Sequence, residues 1–275
     1  MVRVSNSRLR RGATLIAALG IVAWAFQGPQ PAAAQTSNTI TITSPRPVAK
    51  AVEELVEKYG YVITYEDPEY VYPGDLQDAT QYRRDLNQFP AGRAPKIWVP
   101  LGGNVQLQLP SDTKPTAQDI LNSLHQLVQS QNVANEGGHF AVEQDSSGAF
   151  HVVPTEVRDP NGNWQPVTSI LATAISLPTQ ARTEHDTFKA ICNAISAQVL
   201  VKVDPIVNSG VEVGLVQFGS THQTYTLGAQ NEAASRVLTR AFQMIGVKRT
   251  WLLYFDPTDH TYALNIISLP PSPSS

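Results

Sequence analysis

Six histidines, a single cysteine and a few serines are the groups in this chain that could do chemistry, and their spacing limits what that chemistry could be. Ser220 and His222, in Gly219-Ser220-Thr221-His222, are two residues apart and would share a face in a strand. A serine beside a histidine could act as nucleophile and base in an exported hydrolase of cell-wall or peptide substrates, but it needs an orienting acid and an oxyanion hole as well. Neither is marked, and the Gly-x-Ser-x-Gly elbow is absent. His139 and His151 could face each other across a hairpin with Glu143 nearby. A zinc site there would want a third placed ligand and an open position, so surface histidines are the simpler reading. Leu101-Gly102-Gly103-Asn104 has neither the lysine nor the helix start of a phosphate loop, which makes it a turn. Glu53-Glu54 fall with Lys50, Glu57 and Lys58 on a solvated helix face. Cys192 lies on an apolar helical stripe and reads as a small buried hydrophobe. The expectation is no catalytic residue, no cofactor and no metal ligand, hence not an enzyme. The hydrolase and a small-ligand or metal carrier stand as the alternatives.

One cluster rises above these. Tyr59, Tyr61, Tyr65, Tyr70, Tyr72 and Tyr82 are six of the nine tyrosines and fall within 24 residues. They run into a segment that also carries Arg83, Arg84, Phe89 and Arg93. Tyrosine and arginine are enriched at protein-binding hot spots. Tyr59 and some strand tyrosines belong to a core. Tyr70, Tyr72, Tyr82, Arg83, Arg84, Phe89 and Arg93 are the candidates for contact with a partner, an envelope protein or peptide. An open strand edge that accepts an added strand is the other route to a peptide.

Residues 1–34 read as an export signal. Arg3, Arg8, Arg10 and Arg11 precede a 15-residue apolar run, Gly12 to Phe26, and Ala32-Ala33-Ala34 forms a small-residue cleavage site before Gln35. The run falls short of the roughly 20 residues that span a bilayer. Cleavage after Ala34 would leave a periplasmic, soluble protein with no transmembrane segment. Four of the 20 cations and none of the 23 acids lie in residues 1–34, so the remainder carries a formal charge of −7. That balance excludes nucleic acid as an expected partner, because phosphate binding needs a cationic face.

The elements that must position these residues follow from periodicity. Val52, Leu55, Val56 and Tyr59 form an apolar helical stripe; Phe188, Ile191, Cys192 and Ile195 repeat it 136 residues later. A short strand and an Asp-Pro stop follow each, Asp67-Pro68 and Asp204-Pro205, offset by 137 residues. The second helices carry Ile120, Leu121, Leu124, Leu127 and Val128, then Val237, Leu238, Ala241, Met244 and Ile245, offset by 117. The first copy therefore holds about 20 extra residues, placed at about 76–95. Ser44 and Pro45 are expected to open the first helix and Gly60 to close it, Thr116 with Asp119 and Thr183 with Asp186 to cap the second and third, and Asn231 and Gly246 to bound the last. Strands are expected at 39–43, 61–65, 105–109 and 170–177, with hairpins at 140–153, turning on Asp145-Ser146-Ser147-Gly148, and at 251–267.

The expected fold class is α+β: two tandem βαββαββ-like units, 35–155 and 168–268, each with two helices packed on small mixed sheets. A linker at 156–167 would separate them, and 269–275 would be a disordered tail. This order, carried by Val48-Ala49-Lys50-Ala51-Val52-Glu53-Glu54-Leu55 through Tyr61-Val62-Ile63-Thr64-Tyr65-Glu66-Asp67-Pro68 and by the helices at 117–128 and 234–245, resembles the short N-terminal domain shared by secretins and TonB-dependent receptors. The resemblance implies two helices between a two-stranded and a three-stranded sheet in each unit, a periplasmic location and a non-catalytic, protein-contacting role. Neither a secretin pore nor a receptor barrel follows the repeats, so secretion and transport signalling do not carry over.

Overall fold

The computed structural model describes residues 38–110, 114–205, 223–246 and 248–269. Residues 1–34, read above as an export signal, the Ser220–His222 pair and all of the expected tail but Leu269, which is buried in the first core, lie outside the described residues. The first half runs β1 (Asn38–Ser44), α1 (Pro47–Tyr59), β2 (Ile63–Glu66), β3 (Leu76–Asp78), β4 (Trp98–Pro100), β5 (Gly103–Leu109), α2 (Ala117–Ala134), β6 (His139–Gln144), β7 (Phe150–Arg158) and β8 (Trp164–Pro166). The second runs β9 (Ala174–Thr183), α3 (Glu184–Val199), β10 (Lys202–Pro205), β11 (Thr224–Ala233), α4 (Ala234–Ile245), β12 (Arg249–Asp256) and β13 (Thr261–Ser268). The fold class is mixed α+β.

The two halves pair their strands by the same scheme. In the first, β1 lies antiparallel to β5, while β2 runs parallel to β7, which forms a hairpin with β6. In the second, β9 lies antiparallel to β11, while β10 runs parallel to β13, which forms a hairpin with β12. The three-stranded parts do not stay apart. β12 pairs in parallel with β2, through Leu252 opposite Tyr65 and Leu253 opposite Glu66, and fuses them into one sheet of order β10-β13-β12-β2-β7-β6. Successive side chains of a strand point to opposite faces. Leu252 accordingly joins the core of the first half, with Leu55, Ile120, Leu124 and Phe150, whereas Trp251, Leu253 and Phe255 join that of the second, with Phe188, Ile191 and Leu238. The sheet is thus covered by the first helix pair on one face and the second pair on the other.

Local chemistry explains most of the element ends. Thr116 and Asp119 form a complete capping box on α2, and the Thr183 hydroxyl accepts the Asp186 N–H on α3. Gly60 and Gly246 close α1 and α4 in the left-handed region, φ 68° and 75°. Five expectations shift. α1 begins at Pro47 rather than Pro45, because Pro47 can equally fill the first position and Arg46 is held away from the helix by an ion pair. Asn231 does not cap α4; it supplies a left-handed residue, φ 49°, in an irregular stretch of β11, and the Thr173 carbonyl receives the Ala234 N–H instead. On α4 the stripe takes Phe242 into the core and leaves Met244 exposed. Residues 156–167 are no free linker: β7 extends through Arg158 and turns back into β8. The predicted strand near 170–177 starts with a 3-10 turn at Ile170–Ala172 before β9.

Candidate functional site

Three places bring functional groups together: the joint between the halves, a cleft beside it, and the tip of the inserted segment. At the joint the Asp67 carboxylate is fully buried. It accepts the Arg46 Nε–H at 2.6 Å, the Tyr65 hydroxyl at 2.6 Å and the Phe255 N–H at 2.9 Å, and the Tyr70 hydroxyl stands 3.4 Å away. Arg46 also donates to the Phe255 carbonyl and lies over the Tyr254 ring. Burial works against the guanidinium charge, and Asp67 outweighs it and holds Arg46 charged. Burial first, then the Asp67 charge, pushes the Tyr65 phenol well above its ordinary value. Every group here is engaged in bonding β2 to β12, which makes it a clamp.

The cleft, about 300 Å³, opens where β2 leaves β7 after Val152 and before β8 joins at Glu156. Pro154 sits in that gap, where no ladder donor is required. The walls include Glu66, Glu143, His151, Ser169, Ser235 and Trp251. Their polar atoms are largely committed within the chain. His151 Nδ1 lies 2.8 Å from Thr64 Oγ1 and Nε2 3.3 Å from Asp145. Glu66 accepts the Ser169 hydroxyl at 2.6 Å and the Ile170 N–H at 2.5 Å, which ties the segment leaving β8 to the end of β2. Ser169 therefore meets a carboxylate and not the histidine, whose hydroxyl partner is Thr64, only 4% exposed.

Burial raises the Glu66 carboxyl from 4.5 to about 7, against the opposing pull of the Ser169 and Ile170 hydrogen bonds. The folded state then binds more protons than the unfolded chain between those values, and its stability falls as pH rises through that window. At about 1.4 kcal/mol per tenfold, the loss from pH 4.5 to 7 is about 3 kcal/mol. Glu66→Gln keeps a neutral acceptor for the same donors. Urea denaturation of both proteins should show the variant gaining on the wild type by about that amount across the window, and level above it. A parallel pair of curves would remove Glu66 as the source.

The insertion is a hairpin, β3 against β4, whose tip carries two 3-10 turns at Thr80–Tyr82 and Leu86–Gln88. It is anchored at its base. The Trp98 N–H donates to the Thr258 hydroxyl at 2.8 Å, and the Leu101 N–H to the Asp75 carbonyl at 2.7 Å. Buried Asp75 pairs with Arg158 at 2.9 Å, and Arg158 lies over both the Tyr72 and Trp164 rings, with His139 stacked beyond Trp164 at 3.9 Å. Within the tip, Arg83 binds Asp85 and the Pro95 carbonyl and covers the Phe89 ring at 5.0 Å.

The seven partner-contact candidates therefore divide. Tyr70 is 6% exposed and packs in the second core, so it cannot present a contact surface. Tyr72, Arg83 and Phe89 are spent on holding the insertion in shape. Tyr82, at 78% exposure, Arg84 and Arg93 stand in solvent, and Leu86 beside them, which the sequence reading passed over, is exposed as well. Spacing also does not reveal Arg46, Glu66 and Asp67 as a group; Asp67 opens the Asp-Pro stop and Glu66 precedes it, but the strand that completes their site is 188 residues away.

At each end of the long sheet, one backbone position of the outer strand is capped by a helix side chain. Asn132 of α2 donates to the Phe140 carbonyl at 3.0 Å and accepts its N–H at 2.9 Å, on the outer strand β6. On the outer strand β10, the Ser196 hydroxyl accepts the Val203 N–H at 2.8 Å. Such side-chain caps blunt edge-to-edge pairing.

His139 and His151 do not oppose each other: His139 stands across from Glu156 and His151 across from Glu143. Among the described residues no group of three or more His, Cys, Asp or Glu is placed to hold a metal ion. Cys192 is buried, and burial pushes its thiol up to about 12. Among the described residues no helix is long and apolar enough to cross a membrane. No family model, no curated protein and no solved structure matches the chain.

Proposed function

We propose that this is an exported, non-catalytic protein-interaction module of the periplasm, and that the tip of the inserted hairpin is its docking surface. The observation that carries the reading is Tyr82, a large aromatic side chain held in solvent on a tip braced by the Arg83–Asp85 pair and anchored at its base. A braced loop has less conformational freedom to lose on binding, and tyrosine is enriched among hot-spot residues. The resemblance to secretin and TonB-receptor N-terminal domains supports the same general role. The polar groups at the joint and cleft serve the fold, in keeping with a scaffold that carries its function on a loop.

The test is quantitative capture of envelope proteins by the purified protein. Tyr82→Ala should weaken capture by about 2 kcal/mol, roughly thirtyfold, with unfolding unchanged. Capture indifferent both to that substitution and to removal of residues 76–95 sinks the tip as the contact surface. A second reading, a small-ligand carrier, draws on the cleft of about 300 Å³. Mass spectrometry of the native protein for co-purified small molecules or metals decides it; a clean apo mass removes that reading.

A further inference from the structure

We propose that the partner docks with an acidic protein segment, whose carboxylates meet Arg84 and Arg93; this rests on the tip being the docking surface. Residues 76–100 carry four cations against two acids. Both acids are already bound: Asp78 to Lys96 and Thr80, and Asp85 to Arg83. The cationic excess is therefore Arg84 and Arg93. Both are exposed, and neither side chain has an ion pair or hydrogen bond among the described residues. Arg83, one position away, shows how such a side chain behaves when the fold has a use for it: it makes two bonds to Asp85, one to a carbonyl, and covers a ring.

Guanidinium groups match carboxylates in a planar, two-bonded fork, a geometry that lysine lacks. The surroundings add direction. Outside residues 76–100, the chain from 35 to 275 carries 12 cations against 21 acids, so the body repels an acidic partner while the tip attracts it. Charge complementarity of this kind orients encounter and rejects other approaches. An anionic membrane is the weaker reading, because recognition of lipid headgroups takes clusters of about four to eight cations and the tip offers two unpaired ones.

The experiment uses the full chain expressed in its own cells, with a photo-crosslinking phenylalanine analogue at exposed Gln81, beside Tyr82. The cross-linked species is identified by mass spectrometry and its yield measured in four backgrounds: unaltered tip, Tyr82→Ala, Arg84→Glu with Arg93→Glu, and Arg84→Lys with Arg93→Lys. The expected adduct is a protein segment with an excess of Asp and Glu. Its binding should fall about tenfold on charge reversal and with added salt, and less on the lysine exchange. Thermal unfolding of each variant should match the parent, since the three side chains replaced are exposed. An adduct on phospholipid, on a neutral or basic segment, or one insensitive to charge reversal overturns the proposal. If only Tyr82→Ala abolishes the adduct, the docking surface stands and the acidic segment falls; if Tyr82→Ala has no effect, or no adduct forms, both fall.

Discussion

Asp67→Ala is expected to destabilise the protein by about 3–5 kcal/mol, because it strands several buried partners at once. Removal of the carboxylate leaves Arg46 without its counter-ion, the Phe255 N–H without an acceptor and the Tyr65 hydroxyl without its 2.6 Å partner. In a chain of this size, that corresponds to a fall in Tm of about 10 °C. An exposed control is Asp204→Ala, in the second Asp-Pro step, which lies inside β10 whereas Asp67 follows β2. Asp204 is 51% exposed and pairs with exposed Lys202, so its loss should cost less than about 1 kcal/mol. Chemical denaturation of the pair measures the contrast directly. Equal costs would mean that the Asp67 cluster is not what joins β2 to β12. Asp67→Asn should fall between, since its amide oxygen can still accept for one of the two carboxylate oxygens but the NH2 cannot accept and the charge opposite Arg46 is lost.

That contrast also marks the limit of what spacing along the chain reveals. The two Asp-Pro steps are 137 residues apart, but the left-handed ends of α1 and α3, Gly60 and Leu200, and the strand residues that pair with buried Phe150 and Tyr262, Ile63 and Val203, are 140 apart, and an odd slip in a strand turns a side chain to the opposite face. Asp67 consequently points inward with Tyr65, and Asp204 outward beside buried Val203. The helices, capping boxes and both hairpins were legible because their signals are local: period 3.6, period 2, or a cap three residues from its partner. The pairing of β12 with β2 was not, since no local pattern ties Leu253 to Glu66 across the whole length of the fold. It decides nonetheless that the three-stranded parts form one sheet and that Glu66 is enclosed. The tyrosine cluster was legible as a cluster only. Composition alone could not separate Tyr70, which is drawn into the second core, from Tyr82, which the inserted hairpin carries into solvent. The side-chain caps on the sheet ends, Asn132 and Ser196, were likewise hidden, as a helix asparagine or serine has many other uses.

The second large effect is expected at Glu184 and Arg249, which pair with side chains only 6% and 4% exposed. Glu184→Leu would leave the Arg249 charge buried without its carboxylate and should cost about 3–5 kcal/mol. Arg249→Met leaves the opposite charge, but Glu184 sits in the first turn of α3, where the helix N-terminus favours an anion. That site should offset the loss by roughly 0.3–1 kcal/mol, so the two single variants should differ in this order. The double variant decides what the pair is for. Arg249 Nε has no hydrogen-bond partner among the described residues, so the guanidinium is incompletely satisfied even in the intact protein. An ion pair in that condition repays its desolvation poorly, and apolar residues of similar volume should do as well or better. Glu184→Leu with Arg249→Met should therefore recover most of the stability lost by either alone, giving a coupling of several kcal/mol in a double-mutant cycle. A double variant as unstable as Glu184→Leu would instead show that the pair stabilises the fold outright, through the positions it fixes at the start of α3 and of β12. Recovery would place its value in specificity: it ties the first residue of a helix to the first residue of a strand, and an apolar pair could hold them together without fixing which atoms meet.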